Sequence, residues 1–274
     1  ARQDHAGPVA HARAAGSDAS MRIRALLLVL ALLLVAGPAS AAITEVGSGS
    51  QRAGTAGASS EASRTLAFPA NVTSGSRLIV AGAVFLGTGA PAAVVVSDTL
   101  STSYTVLSAV EPIHGNARVF IACGLASSGG ANTVTVDPTG SAFISFAIDE
   151  FAGADTGACP TVDGGSSTGD SNSPADSITT SVADELIIGV ATVGSSSNTV
   201  TYTPGGSYTQ IAEAEAGATV QTYSAVFRIA TTATSYTVDW TLSPVADDNE
   251  WIVYTASFKP AGAAARLQLL GVGR

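Results

Sequence analysis

Leu78-Ile79-Val80-Ala81-Gly82-Ala83-Val84-Phe85 is an unbroken run of apolar and small residues, too short for a buried helix and rich enough in β-branched side chains for a buried strand. A second run of the same kind follows at Leu186-Ile187-Ile188-Gly189-Val190-Ala191. Between and after them β-branched and polar residues alternate, in Thr133-Val134-Thr135-Val136, Thr199-Val200-Thr201-Tyr202 and Tyr236-Thr237-Val238-Asp239-Trp240. Such alternation marks strands with one buried face. Turn chemistry separates the runs, at Ser128-Gly129-Gly130, Asp137-Pro138-Thr139-Gly140 and Pro204-Gly205-Gly206. No capped helix-period segment interrupts Ile43 to Pro260. Short strands at this spacing predict an all-β sandwich or barrel.

The strands also repeat in order. Leu78-Ile79-Val80 matches Leu186-Ile187-Ile188, and Ser103-Tyr104-Thr105 matches Ser207-Tyr208-Thr209. Val119-Phe120 matches Val226-Phe227, Thr135-Val136-Asp137 matches Thr237-Val238-Asp239, and Glu150 to Gly153 aligns with Ser257 to Pro260. The separations are 108, 104, 107, 102 and 107 residues, narrow enough to predict an internal duplication. The halves would run from about 43 to 153 and from 181 to 260, joined by a Gly/Ser-rich connector at 154–180 in which Val162 and Ile178 form edge strands. Each half alone is close to the size at which a core becomes marginal. The expectation is therefore a single jelly-roll-like antiparallel β-sandwich, 42–260, built from two similar halves.

The blocks Arg77 to Gly82, Asp98 to Tyr104, Asn132 to Val136 and Ala142 to Gly153 cover most of residues 43–260. Together they resemble a widespread group of exported bacterial β-sandwich proteins and modules of unknown function. In that group the second block reads Asp-x-x-Gly-Asn-x-Tyr, whereas Ser101-Thr102 stand at the Gly-Asn positions of this chain. The resemblance implies a scaffold and carries no site residue with it.

The N-terminus has the grammar of export. Met21-Arg22-Ile23-Arg24 is a short basic region, Ala25 to Ala36 an apolar run, and Ala39-Ser40-Ala41 a small-x-small cleavage pattern after Gly37-Pro38. The apolar run falls short of the roughly 20 residues of a membrane span. Met21–Ala41 is thus read as a signal peptide and 1–20 as an upstream leader, with no membrane span after cleavage and a secreted or cell-surface location. Residues 1–41 hold four arginines against two aspartates, so the rest of the chain is more acidic than the net −9, and Lys259 is its one lysine. Such a surface repels phosphate backbones and excludes nucleic acid as a partner. The tail 261–274 is Ala-rich and then Leu-rich, as a short helix or a frayed end.

Chemistry-bearing residues are sparse. His114 is the one histidine beyond the leader and reads as a solvated turn residue. Asp149 and Glu150 are adjacent on a strand and so face opposite ways, while Glu213 and Glu215 share a face. A same-face carboxylate pair on a sheet is what a glycoside hydrolase would need, which keeps that class as a lesser alternative. Asp247, Asp248 and Glu250 form an acidic turn able to hold a Ca2+ ion, the one cofactor left open. Cys123 and Cys159 suit an oxidising compartment, as a disulfide or as two separate thiols. Trp240 shares a side with Val238 and Leu242 and belongs to the core. Trp251 lies opposite Ile252, Tyr254, Ala256 and Phe258, the more apolar side of its strand, which turns it outward as a ligand platform.

The expectation is a non-catalytic binding or adhesion module for a glycan or a protein, with no catalytic residues. The alternative is a structural subunit of a surface layer, appendage or virion-like assembly.

Overall fold

A computed structural model describes residues 41–86, 93–110, 117–157, 159, 162–194, 200–216, 221–244 and 250–262. Almost all of the predicted signal peptide, the leader, His114, Asp247, Asp248 and residues 263–274 lie outside them.

The fold is all-β. The first half contains β1 (Thr44–Glu45), β2 (Ala53–Ala56), β3 (Arg64–Ala67), β4 (Arg77–Phe85), β5 (Val95–Asp98), β6 (Tyr104–Val110), β7 (Ala117–Leu125), β8 (Thr133–Asp137) and β9 (Phe143–Ala152). The second contains β10 (Val162–Gly169), β11 (Ala175–Thr179), β12 (Glu185–Gly194), β13 (Thr201–Pro204), β14 (Thr209–Ala216), β15 (Gln221–Ala230), β16 (Ser235–Ser243) and β17 (Trp251–Phe258). Val162 and Ile178 lie in the edge strands β10 and β11.

Each half forms a large and a small sheet. The first has β1-β9-β4-β7-β6, with β2 also on β9, and β3-β8-β5. The second has β10-β17-β12-β15-β14 and β11-β16-β13. Strand for strand, β10 to β17 occupy the places of β2 to β9, so the internal repeat extends to the topology.

A single sandwich shared by both halves, expected from the size of each, is replaced by four layers. One core fills the first half between its own sheets, with Leu78, Val80, Phe120, Val134, Val136 and Phe146. A second fills the other half, with Ile187, Tyr202, Val226, Val238, Trp240 and Leu242. A third core lies between the two large sheets and draws on both halves, with Ile79, Ile121, Phe151, Ile188, Tyr223, Phe227 and Phe258. This shared core supplies the burial that neither half could reach alone.

The layering explains the sequence texture. Every residue of β4 is buried, because this strand has a core on each side. In β16, an outer-layer strand, buried and less buried residues alternate. Two of the repeat matches slip across this frame. Leu78 faces its own half's core whereas Leu186 faces the shared one, so Ile187 is the counterpart of Leu78. Val119 likewise faces the shared core and Val226 does not. An odd shift in a strand exchanges its faces, which an apolar run buried on both sides cannot reveal in sequence.

Candidate functional site

The connector folds back on the first half directly after β9. Cys159 joins Cys123 of β7 in a disulfide, with Cα atoms 5.9 Å apart, inside the range a bridge requires. From the start of β4, Arg77 reaches the same segment and donates through Nη2 to the carbonyl oxygens of Asp155 and of Gly157, the latter at 2.9 Å. Between connector, β6 and β7 lies a groove of about 360 Å³ lined by Arg77, Ser101, Ser103, Thr105, Ser127 and Thr156, beside the disulfide.

Arg77 is 2% exposed, yet no carboxylate among the described residues pairs with it, and its Nε has no hydrogen-bond partner. Burial lowers its pKa, opposed by the charge of Asp155. The sequence signal was a charged residue opening a strand that is otherwise apolar on both faces.

The turn that supplies Ser101 and Ser103 is knotted by Asp98. Asp98 Oδ1 accepts the N–H groups of Leu100 and Thr102, and Oδ2 accepts the Tyr104 hydroxyl at 3.0 Å and Asn132 Nδ2 at 2.8 Å. Burial disfavours the Asp98 carboxylate, but the Thr102 N–H and the other donors outweigh it and bring its pKa below the ordinary value of an aspartate. Burial first, and then the Asp98 charge, push the Tyr104 phenol upward. The Asp98-to-Tyr104 spacing and Asn132 are thus one hydrogen-bonded unit. Ser101 sits at φ +57°, the left-handed conformation a glycine takes without cost.

Of the carboxylates singled out by sequence, Asp149 and Glu150 are engaged inside the fold, whereas Glu213 is exposed. Asp149 and Glu150 do face opposite ways, and both are fully buried. Asp149 lies on the shared-core side beside Glu45 and Arg52. Arg52 pairs with both Glu45 oxygens, donates to the Gln210 carbonyl of the second half and stacks over Phe227 at 5.2 Å. Burial pushes the Asp149 carboxyl up to about 8, the Glu150 N–H and Arg52 acting against it and Glu45 with it. Glu150 Oε1 accepts the Thr73 N–H in the turn before β4. In the second half Glu185 ties the equivalent turn, accepting from Ser181 and Val182 N–H while Ser257 donates to its other oxygen. Glu213 holds the Tyr202 N–H and Gln210 Nε2.

Trp240 is in the second half's core, its Nε1 donating to Ser224 Oγ at 3.1 Å. Trp251 requires a correction: it is 7% exposed and packs in the same core, over Gly169 of β10. β17 has the two faces its period of two implies, but the strand lies in an inner layer, with Ile252, Ala256 and Phe258 in the shared core and Trp251 and Val253 in that of the second half. Arg228 lies over the rings of Tyr208 and Tyr236, at 5.7 and 4.6 Å, at one end of the second half, a cluster that no sequence motif announces. Glu250 is half-buried, its predicted partners Asp247 and Asp248 lying outside the described residues. Among the described residues no three His, Cys, Asp or Glu side chains gather as a metal site.

No family model matches this chain, and neither a curated protein nor a solved structure shows significant similarity to it.

Proposed function

We propose that this is an exported, non-catalytic binding module of the cell surface or secreted fraction, which takes a glycan or protein ligand in the groove between the connector and β6. The observation that carries this is the groove itself: hydroxyl side chains around a buried arginine, on loops and strand ends that a rigid four-layered scaffold holds in place. The non-catalytic reading is supported by how the carboxylates are used, since Asp98, Glu185 and Glu213 spend their oxygens on backbone and side-chain donors. The chain order within each half, 1-8-3-6-5 over 2-7-4, supports a jelly-roll-type description with the fifth strand carried into the larger sheet. Loss of Trp251 as a platform moves the ligand site away from β17 and onto the groove.

A structural subunit remains the second reading, for one specific reason. The edge strand β6 carries no charged residue from Tyr104 to Val110, and Val95 of the edge strand β5 is 50% exposed. Uncharged edges invite strand pairing between copies. A glycan array on the purified protein, run beside sedimentation velocity, separates the two. Array binding by a monomer supports the module, and concentration-dependent assembly without array binding overturns it.

A further inference from the structure

Arg77 is a buried cation with spare donors. Among the described residues, Nη2 of its guanidinium is used by two connector carbonyls, Nη1 has only Cys159 Sγ at 4.0 Å, and Nε has no partner. A buried charge without a counter-ion costs several kcal/mol unless something compensates it. Two carbonyl dipoles and the nearby charge of Asp155 compensate in part, but no carboxylate among the described residues pairs with the guanidinium directly. Arg77 also lines the groove, so a guanidinium that no described carboxylate pairs with directly lies where a ligand fits.

We propose that the groove binds the carboxylate of an acidic sugar, with Arg77 as its counter-charge and the surrounding hydroxyls as partners for the sugar ring. This rests on the binding-module function proposed above and names its ligand class. One arginine matches one negative charge, and Nη1, whose one contact among the described residues is Cys159 Sγ at 4.0 Å, is the donor left for a carboxylate oxygen. The lining hydroxyls of Ser101, Ser103, Thr105, Ser127 and Thr156 both donate and accept, as a polyhydroxylated ligand requires. A peptide C-terminus would present the same carboxylate but needs apolar pockets for its side chains, and among the described residues Leu125 beside the disulfide is the sole aliphatic lining residue. The acidic surface of the chain opposes polyanions, so the ligand is a single acid and not a phosphate chain.

The test is calorimetric titration of the purified protein with glucuronate, its methyl ester, glucose, inorganic phosphate and a short peptide with a free C-terminus. Glucuronate should bind about tenfold or more tighter than the ester or glucose. Arg77→Met should abolish that preference. Because Arg77 also holds the connector, Ser103→Trp provides a second variant: Ser103 is exposed, so the indole should block the groove while leaving the unfolding midpoint unchanged. Equal binding of glucose and glucuronate would overturn the carboxylate site and leave the module intact. Stronger binding of phosphate or peptide would overturn the ligand class. Absence of glucuronate binding, or binding that both variants retain, would overturn the site, and a blank glycan array would in addition remove the module itself.

Discussion

Tyr223 of the second half abuts Gly54 of the first, its hydroxyl oxygen 3.1 Å from the point where a Cβ on residue 54 would stand. Ala212 Cβ comes closer still to that point, at 2.4 Å. The two large sheets approach so tightly here that only glycine fits at position 54 of β2. Gly54→Val should therefore destabilise the protein by about 1–3 kcal/mol through overpacking. Urea unfolding followed by fluorescence checks this. An unchanged midpoint would mean that the halves are not closely docked at β2 and β14.

The tryptophans should behave alike. Trp240→Ala and Trp251→Ala should each cost roughly 3–5 kcal/mol, as for other buried aromatics. The emission of the native protein should be blue-shifted, with no water-exposed component. A stable Trp251→Ala variant with unaltered cooperativity would return that residue to the surface.

Cys123 and Cys159 close a loop of sequence separation 36. Chain entropy assigns such a cross-link about 3–4 kcal/mol. Paired Cys123→Ser and Cys159→Ser substitutions should lose most of that, and alkylation without reductant should label neither cysteine of the parent protein. Labelling of both would show the bridge absent.

Ser101→Gly should stabilise the chain by about 1 kcal/mol, because a residue with a Cβ pays that order of energy to hold a left-handed backbone. The Asp98 knot fixes the turn on both sides of Ser101, through the N–H groups of Leu100 and Thr102. The gain should appear as a higher urea midpoint at an unchanged slope. A loss would show that the serine side chain contributes more than its conformation costs.

Strand identity and duplication were legible because both rest on local chemistry. Leu78 to Phe85 and Thr133 to Val136 announce different kinds of strand in their own residues, one buried on two faces and one on a single face. What those kinds imply for layering was also present: a continuous apolar strand needs a core on each side, and each half has such a run, in β4 and in β12. The facing of Trp251 was not legible, since relative apolarity picks the inner side of a strand only when the other side meets water. Arg77 and the groove were hidden for a different reason. They depend on where the connector returns, and the Ala154–Thr180 composition does not encode that path.

Asp149 makes the stability of this protein depend on pH in an unusual sense. A carboxyl raised to about 8 by burial keeps its proton in the folded state, whereas in the unfolded chain it ionises near the ordinary value of about 4. Between those values the folded state binds more protons than the unfolded state, so stability falls as pH rises, with a slope approaching about 1.4 kcal/mol per unit. Groups such as Asp98, with a lowered pKa, act in the opposite sense but below this window. The charged neighbours of Asp149 are Glu45, which strengthens the effect, and Arg52, which weakens it. Asp149→Asn retains a neutral side chain of the same shape and removes the titration. The lead of the variant over the parent in urea midpoint should grow steadily from pH 5 to pH 8. Parallel pH profiles for the two proteins would show that Asp149 is ionised throughout, held by Arg52 across the junction of the halves.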